Sequence, residues 1–315
     1  MNIAVITSGG DSPGMNPCLA RIVTEASAKG HRVFGYRRGY CGILEKDFTV
    51  LVPADVESWY KLGGTMLKTG RLPSLVEETV QKQLVSNLKE QKIEALIVIG
   101  GDGSFRGALD LSRHNPYFNV IGIPGTIDNN IFGSRYTLGH DTALNKLVNY
   151  IDDISDTAIS LPGRVFFVET LGAFESYFPK AAVLMGMADF CVLYEPRTTN
   201  EEVVQKVAAF RERAEKSYVL AAFAEKSKQM FEAADLAQEK LKINVKCNLL
   251  GYQQRGGVPT ACDRMHAAGF ARHALAAIEG GLFRKYVVYS NGVYGYRDFE
   301  DARQKKFFDN YGFDW

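Results

Sequence analysis

Short apolar runs that end in glycine recur along the first half of the chain. They include residues 3–10 (IAVITSGG), 95–104 (ALIVIGGDGS) and 120–126 (VIGIPGT). Their hydrophobicity is continuous rather than alternating and is rich in Val and Ile, which is typical of parallel strands buried on both faces. The pattern therefore predicts neighbouring strands of one parallel sheet, each followed by a turn.

Helix-like segments lie between these predicted strands. Residues 74–91 carry a valine or leucine at every fourth position from 76 to 88, behind Ser74, a common helix N-cap residue. Alternation of strand and helix predicts a doubly wound α/β sheet. Further strand-like segments are residues 163–172, 189–196, 217–225 and 285–292, and further helix-like segments are residues 200–216 and 259–280.

Length and composition narrow the class of protein. A chain of 315 residues is long enough for about two domains, so a cleft between two lobes is expected. Lys and Arg number 37 against 36 Asp and Glu, so no basic excess indicates binding to nucleic acid or to an anionic membrane. The five cysteines are scattered and odd in number, which favours reduced thiols. No apolar run approaches a membrane span, and we expect a cytoplasmic protein.

Three glycine-rich turns are candidates for a phosphate-binding site. They are residues 8–16 (SGGDSPGMN), 63–71 (GGTMLKTGR) and 100–104 (GGDGS), and each is expected where a strand ends. Glycine lets backbone N–H groups approach phosphate oxygens, and a following helix N-terminus favours an anion. One glycine pair is usually only a chain reversal, whereas three such turns favour binding. Asp102 is the candidate Mg²⁺ ligand, because Mg²⁺ is usually held by one or two carboxylates together with substrate phosphates.

Five motifs in order resemble the ATP-dependent 6-phosphofructokinase family over nearly the whole chain. They are TSGGDSPGMN, GGDGS, PGTIDN, VETLG and LGYQQRGGVPTACDR. The resemblance implies glycolytic transfer of the γ-phosphoryl group of ATP to the 1-hydroxyl of fructose 6-phosphate, with Mg²⁺, in a homotetramer. It also implies two Rossmann-like, three-layer α/β lobes, the larger built on a doubly wound and mostly parallel sheet, with the active site in the cleft between them. The ATP-binding lobe would comprise residues 1–140 plus 254–304, and the sugar-phosphate lobe residues 141–253 plus 305–315.

The resemblance also assigns roles to residues. Asp128 matches the catalytic base, although by itself this residue would be read as part of a polar turn. The ATP contacts would be Gly9, Tyr40, Arg71, Leu72, Gly101, Asp102, Gly103 and Ser104, with Asp102 on the metal ion. The substrate contacts would be Thr126, Arg164, Leu171, Gly172, Glu225, Lys246, Tyr252 and Arg255. Of these, Arg164 and Lys246 would reach the site of a neighbouring subunit. Gly103 and Gly125 match the ATP-using branch, whereas pyrophosphate-using relatives carry aspartate and lysine there.

Several positions depart from the family pattern. Asn130 replaces the second carboxylate of TIDND, and Ala173 replaces the arginine expected to stabilise the transferring phosphoryl group. Loss of an arginine with that role costs about 10³ to 10⁵ in rate where it has been measured. Lys246 replaces an arginine and Tyr252 a histidine, and Lys68 stands where glycine is usual. The effector-site arginines are replaced by Ala20, Thr24 and Asp156, so we expect no family-type allosteric control.

These departures leave three functional interpretations open. The first is an ATP-dependent 6-phosphofructokinase, weakened by the losses at Asn130 and Ala173. The second is a non-catalytic subunit that completes sites in a hetero-oligomer with a related active subunit. The third is a kinase for another sugar phosphate, favoured by Leu171 and Tyr252 in the acceptor pocket. The aromatic tail, residues 307–315, is predicted to dock onto the smaller lobe, with a contact between subunits as the alternative.

Overall fold

The computed structural model describes residues 1–115, 118–172, 176–193, 198–213, 217–225 and 227–304, and it divides into two compact units. Unit 1 is Met1–Thr142 together with the segment that begins at Arg255, and unit 2 is Ala143–Gln254. The predicted tail at residues 307–315 and the substitution at Ala173 lie outside the described residues. The assignment of ATP to one lobe and sugar phosphate to the other stays a prediction.

The elements follow the α/β alternation. The strands are β1 (Asn2–Ser8), β2 (Arg32–Tyr36), β3 (Phe48–Leu51), β4 (Ala95–Gly100), β5 (Asn119–Pro124), β6 (Val165–Glu169), β7 (Phe190–Val192), β8 (Val219–Phe223), β9 (Val245–Leu249), β10 (Lys285–Ser290) and β11 (Val293–Asp298). The helices are α1 (Met15–Ala28), α2 (Tyr40–Glu45), α3 (Pro53–Glu57), α4 (Glu78–Glu90), α5 (Asp102–His114), α6 (His140–Ser160), α7 (Tyr177–Leu184), α8 (Asn200–Glu212), α9 (Ser227–Leu241) and α10 (Ala261–Glu279). None of the described helices has the length and apolar character that crossing a membrane requires.

Unit 1 is built on a seven-stranded sheet in the order β11-β10-β5-β4-β1-β2-β3. The central strands are parallel, and β3 and β11 add antiparallel edges. Strands β4 and β5 are buried along their whole length, as their continuous apolar runs predict. One core lies between the sheet and helices α1 and α10, and a second lies between the sheet and helices α4 and α5. The doubly wound, mostly parallel sheet predicted from the sequence is therefore confirmed.

The register of the central strands aligns their carboxyl ends. Ser8, the last residue of β1, pairs with Gly100 at the end of β4, and Gly100 pairs with Pro124 at the end of β5. The segments that follow these three residues therefore leave the sheet at one edge. Chain order reverses between β1 and β4, since β2 lies on one side of β1 and β4 on the other. Ligands of open α/β sheets bind at such a switch point.

Unit 2 is built on a smaller parallel sheet in the order β7-β8-β6-β9. Strands β6 and β8 are buried throughout, and residues of helices α8 and α9 pack against the sheet in one core. Strand β9 is the outer strand beyond β6, and its burial is mixed. The predicted strands at residues 163–172 and 217–225 are confirmed.

One predicted helix is wrong in its first turn. Residues Pro73–Val76 form a separate 3₁₀ turn, and Glu77 adopts extended backbone before helix α4 begins at Glu78. Val76 is accordingly 83% exposed rather than part of the apolar face. The later positions, Leu84 and Leu88, are buried as predicted. A second prediction also fails, because the glycine-rich turn at residues 63–71 follows helix α3 and not a strand.

Candidate active site

A cleft of about 440 Å³ lies in unit 1 at the carboxyl edge of the seven-stranded sheet. It lies at the switch point because the turns after β1, β4 and β5 contribute its walls. Its lining residues are Ser8, Gly9, Gly10, Asp11, Tyr40, Gly70, Arg71, Leu72, Leu75, Gly101, Asp102, Gly103, Ser104, Gly125, Thr126, Asp128, Asn130 and Arg255. Every residue predicted to contact ATP is among them, and so are the predicted base Asp128 and two predicted substrate contacts, Thr126 and Arg255.

Glycine is required where the turns after β1 and β4 meet. Gly9 has a φ of +91°, a backbone conformation that favours glycine. A Cβ atom on Gly100 would lie 2.6 Å from both the Ser8 carbonyl oxygen and the Ser104 Oγ atom. The Thr69 hydroxyl donates a hydrogen bond of 2.7 Å to the Gly9 carbonyl oxygen and fixes this turn from the other side. The two turns therefore approach closely enough to present backbone donors to one ligand.

Helix α5 begins at the wall of the cleft with Asp102 as its first residue. The first N–H groups of a helix have no partner within the helix and can bind an anion, although here the Ser104 N–H donates a hydrogen bond of 3.0 Å to the Gly101 carbonyl oxygen. The buried Tyr40 hydroxyl donates a hydrogen bond of 2.7 Å to the Ser104 carbonyl oxygen and holds this first turn in place. A Cβ atom on Gly103 would meet open space, which agrees with its position at the mouth of the cleft. The Asp102 carboxylate forms an ion pair with Arg106, one turn later in the helix.

The Asp128 loop is held by side chains that follow it in the chain. The Thr137 hydroxyl donates a hydrogen bond of 2.7 Å to the Thr126 carbonyl oxygen. His140 Nδ1 lies 2.9 Å from the Ile127 carbonyl oxygen, and because a carbonyl only accepts, this nitrogen carries the proton. The peptide groups on either side of Ile127 are thus fixed. These two hydrogen bonds therefore fix the backbone that leads into Asp128.

The segment that carries these supports is itself fixed by a buried carboxylate. Asp263 accepts hydrogen bonds from the Gly139 N–H (2.6 Å), the Thr142 N–H (2.9 Å) and the Tyr136 hydroxyl (2.9 Å), and it also accepts one from the Thr142 hydroxyl. Burial raises the pKa of the Asp263 carboxyl, and these hydrogen bonds act in the opposite direction. Helix α10 therefore anchors the start of helix α6, and through it the Asp128 loop.

Two arginines line the cleft, Arg71 and Arg255. No ion pair with either guanidinium occurs in the part of the chain that the structure describes. The Arg255 Nε atom is buried without a hydrogen-bond partner among the described residues. A pocket that contains cations without acidic partners, glycine-rich backbone and a helix N-terminus is suited to a polyanion.

The remaining predicted substrate residues lie in unit 2 at two opposite edges of its sheet. Those at the carboxyl edge are Leu171, Gly172, Glu225 and Tyr252, which follow strands β6, β8 and β9. Gly172 has a φ of +126°, and the Leu171 N–H donates a hydrogen bond of 2.8 Å to Gln254 Oε1. Arg164, in contrast, directly precedes β6, and Lys246 is the second residue of β9. The sheet therefore separates this pair from the other four residues.

Sequence reasoning missed several residues of the cleft. Neither Gly10 nor Asp11 was assigned a role, although Asp11 follows a glycine pair as Asp102 does. That repetition was the signal that could have identified it. Gly70 lies in the glycine-rich turn at residues 63–71 but was given no role of its own, and Leu75 had no comparable signal. The other cleft residue without an assigned role is Ser8.

The sheet and its cleft place the chain in the class of doubly wound α/β proteins, whose ligands bind at the switch point of the sheet. A family model described as Phosphofructokinase matches residues 2–278. The chain belongs to the phosphofructokinase family, which confirms the resemblance seen in its motifs.

Relatives with assigned names agree with this membership. The chain is 35% identical over 309 residues to an ATP-dependent 6-phosphofructokinase of Aquifex aeolicus, with 97% of this chain and 95% of the relative covered. It is 39% identical over 286 residues to the protein of that name from Staphylococcus epidermidis, with 90% and 88% covered.

Solved structures show the same fold. The phosphofructokinase of Pichia pastoris has a TM-score of 0.86 at 27% identity, over 96% of this chain but only 37% of that chain, so this protein spans less than half of the yeast polypeptide. A pyrophosphate-dependent phosphofructokinase from Nitrosospira multiformis has the same TM-score, 0.86, at 18% identity, over 97% of this chain and 85% of that one. At that identity the likeness shows the fold alone.

Proposed function

We propose that this protein is an ATP-dependent 6-phosphofructokinase that transfers the γ-phosphoryl group of ATP to the 1-hydroxyl of fructose 6-phosphate. The observation that carries the proposal is the cleft, because one cavity brings together the glycine-rich turns, the start of helix α5 and Asp128. The names of relatives at 35% and 39% identity support the same reaction. Gly103 and Gly125 favour ATP over pyrophosphate. A Cβ atom on Gly125 would lie 3.0 Å from Cγ2 of the buried Ile99, so a side chain at this position would crowd the core.

Asp128 would act as the general base. Its carboxylate would accept the proton of the sugar hydroxyl as the oxygen of that group attacks the γ-phosphorus. Phosphoryl transfer passes through a loose transition state, so the protein contributes mainly positioning and charge stabilisation. The fixed carbonyls of Thr126 and Ile127 would supply the positioning, and the cations of the cleft would supply the charge.

A magnesium ion fits the residues at the start of helix α5. Asp102 offers a carboxylate in a phosphate-binding cleft, and Mg²⁺ is typically held by one or two carboxylates plus substrate phosphates. Asp102 would therefore hold the ion against the nucleotide. When bound, the ion would neutralise charge on the phosphate oxygens.

The sugar phosphate would be bound by residues of unit 2 from two different subunits. Arg164 precedes and Leu171 follows the five-residue strand β6, whose rise of about 3.3 Å per residue puts roughly 16 Å between its ends and favours contacts to two different sites. Leu171, Gly172, Glu225 and Tyr252 would then serve the chain's own site. Arg164 and Lys246 would serve the site of a neighbour in a homotetramer, as the resemblance implies.

The proposal is tested by the activity of the isolated chain. ADP formation coupled to fructose 6-phosphate should show turnover on the order of 1 s⁻¹ or faster. Asp128→Asn removes the base and is expected to lower kcat by about 10²- to 10⁴-fold. Asp298→Asn removes an exposed carboxylate that pairs with Lys285 away from the cleft and should leave kcat unchanged.

Other outcomes distinguish the remaining interpretations. Absence of turnover in the isolated chain, with activity only when a related subunit is added, would replace the proposal with a non-catalytic partner in a hetero-oligomer. Turnover that is faster with a different sugar phosphate in a substrate panel would reassign the acceptor. Equal activity of the wild type and Asp128→Asn would remove Asp128 from the mechanism.

A further inference from the structure

The glycine-rich segment at residues 63–71, named here the Arg71 loop, reaches the cleft at its end. Gly70 and Arg71 are the residues of this loop that line the cavity. All residues of the loop are among those that the structure describes, and none of them lies in a helix or a strand. Such a segment depends on hydrogen bonds from other parts of the chain for its shape. The anchors of the loop therefore determine where its two cleft residues lie.

Asn16, the second residue of helix α1, holds the start of the Arg71 loop. Its Oδ1 atom accepts a hydrogen bond of 2.7 Å from the Met66 N–H. Its Nδ2 atom donates hydrogen bonds of 3.0 Å to the Leu62 carbonyl oxygen and 3.1 Å to the Gly63 carbonyl oxygen. Asn16 is 1% exposed, so water does not readily replace these partners. One buried amide thus fixes the backbone on both sides of the glycine pair.

A second anchor comes from strand β1. The Thr7 hydroxyl donates a hydrogen bond of 2.7 Å to the Lys68 carbonyl oxygen and accepts one of 2.8 Å from the Thr65 hydroxyl. Lys68 has a φ of +56°, in the left-handed region, which a residue with a Cβ atom adopts at a cost in free energy. The anchors therefore hold the loop in a conformation that its own residues do not favour.

We propose that Asn16 is a positioning residue for nucleotide binding, and that it acts through the Arg71 loop. The inference rests on the proposed kinase function and extends it to a residue that does not line the cleft. Helix α1 belongs to the core on one face of the sheet, so Asn16 is attached to a rigid part of the fold. The bond from the Thr69 hydroxyl to the Gly9 carbonyl oxygen joins the same loop to the turn after β1. Gly70 and Arg71 are placed by these contacts.

Replacement of Asn16 tests the inference through the two substrates separately. Asn16→Leu keeps the branched shape of the side chain and removes its hydrogen bonds. The Met66 N–H and two carbonyl groups then lose buried partners, so the loop is expected to shift. KM for ATP should rise about tenfold, with kcat and KM for fructose 6-phosphate changed less than about threefold. This pattern indicates lost binding of one substrate.

A second variant and a control separate positioning from stability. Thr7→Val removes the other anchor with a residue that suits a buried strand, and it should raise KM for ATP about threefold. Asn119→Leu is the matched control. Asn119 is also buried, and its Nδ2 atom donates a hydrogen bond of 3.2 Å to the Ile278 carbonyl oxygen at the start of β5, the sheet edge opposite the cleft. This control should lower the midpoint of urea unfolding and leave KM for ATP unchanged.

A binding measurement without turnover distinguishes failure of this inference from failure of the proposed function. The affinities for ADP with Mg²⁺ and for fructose 6-phosphate are measured by calorimetry on the folded proteins. Asn16→Leu should weaken ADP about tenfold and leave fructose 6-phosphate unchanged. If the wild type has no kinase activity but its affinity for ADP depends on Asn16 in this way, the role of Asn16 stands and the proposed reaction fails.

Three results would overturn the inference. Wild-type affinity for ADP in a destabilised Asn16→Leu variant would make Asn16 a structural residue only. Equal weakening of ADP and fructose 6-phosphate would show general damage to the fold. If Asn16→Leu does not fold, Thr7→Val decides, and an unchanged KM for ATP in that variant would reject the role of the Arg71 loop anchors.

Discussion

The carboxylate that we propose as the metal ligand already has a cation beside it. Asp102 and Arg106 are four residues apart in helix α5 and form an ion pair, with Arg106 Nε 3.1 Å from Asp102 Oδ1. Because Arg106 is largely exposed, the pair contributes only about 0.2 to 1 kcal/mol. A divalent ion that binds Asp102 must compete with this contact. Arg106 therefore opposes the binding of Mg²⁺ to the enzyme while it stabilises the first turn of the helix.

Removal of this competitor should increase the apparent affinity for Mg²⁺. We expect Arg106→Met to lower the Mg²⁺ concentration for half-maximal activity by about two- to fivefold, the equivalent of the energy of an exposed pair. The measurement is a Mg²⁺ titration of activity at saturating ATP. Lys82→Met breaks a similar exposed pair with Glu78 in helix α4 and is the control. A Mg²⁺ requirement that stays the same in Arg106→Met would show that Asp102 does not bind the metal ion.

At the scale of elements, the sequence identified the buried parallel strands and the edge strand β7, but it missed the edge strands β3, β9 and β11. Strands β1, β4 and β5 are continuous apolar runs because both of their faces are covered. The outer strands β3, β9 and β11 have exposed positions and mixed patterns, so their sequences resemble loops. The interior strand β2 was missed as well, because it begins with an exposed arginine and Gly35 interrupts its apolar run.

The residues of the candidate site that lie in local motifs could be predicted from the sequence, whereas contacts between residues far apart in the chain could not. The glycine-rich turns after β1 and β4 and the residues after β5 were recognised because each is a local motif at a strand end. The packing of Arg255 on Gly10 joins residues 245 positions apart in the chain, so no local pattern reports it. The same holds for Asp263, whose partners lie more than a hundred residues earlier. The hydrogen bonds from Gly139 and Thr142 to Asp263, which hold the start of helix α6, could be found only from the structure.

Asp263→Asn tests whether helix α10 supports the start of helix α6. An amide can accept through one atom only, and its NH₂ group faces donors, so at least one buried N–H, from Gly139 or Thr142, loses its partner. We expect a loss of about 1 to 3 kcal/mol in the free energy of unfolding, measured by urea denaturation. Asp298→Asn, at an exposed pair with Lys285, should cost less than about 1 kcal/mol.

The difference in free energy of unfolding between the wild type and Asp263→Asn should become smaller as the pH rises. Burial raises the pKa of Asp263 in the folded state above its usual value of 3.8. Its contribution to stability is therefore complete below that value and is reduced as pH rises through the raised pKa. The wild type should lose part of its advantage over Asp263→Asn as the pH is raised above the usual value of 3.8. An advantage that grows over this range would mean that the hydrogen bonds outweigh burial and that the pKa is lowered.

At the scale of the whole molecule, the family resemblance implies that this chain lacks charge used for regulation. Ala20 and Thr24, which by that resemblance stand at two effector-site arginine positions, line a separate cavity of about 480 Å³ in unit 1. The cation of that cavity is Arg21, and its Nε atom lies 2.5 Å from Glu25 Oε1. Glu25 also lies 3.5 Å from Arg272. The cavity retains space for a ligand, but its arginine is already neutralised by a carboxylate.

The resemblance implies phosphoenolpyruvate as an effector of the family, and we therefore expect it to leave this protein unaffected. A phosphorylated carboxylate needs several cations to compensate the loss of water from its charges, and one arginine that is already paired does not provide them. The saturation curve for fructose 6-phosphate should keep its midpoint and shape when millimolar phosphoenolpyruvate is added at constant ionic strength. Potassium sulfate at the same ionic strength controls for screening of charge. A midpoint that shifts more than about twofold with phosphoenolpyruvate, but not with sulfate, would show that a regulatory anion site exists despite Ala20 and Thr24. In that case the coupling free energy would be at least about 0.4 kcal/mol, and cations outside this cavity would have to supply it.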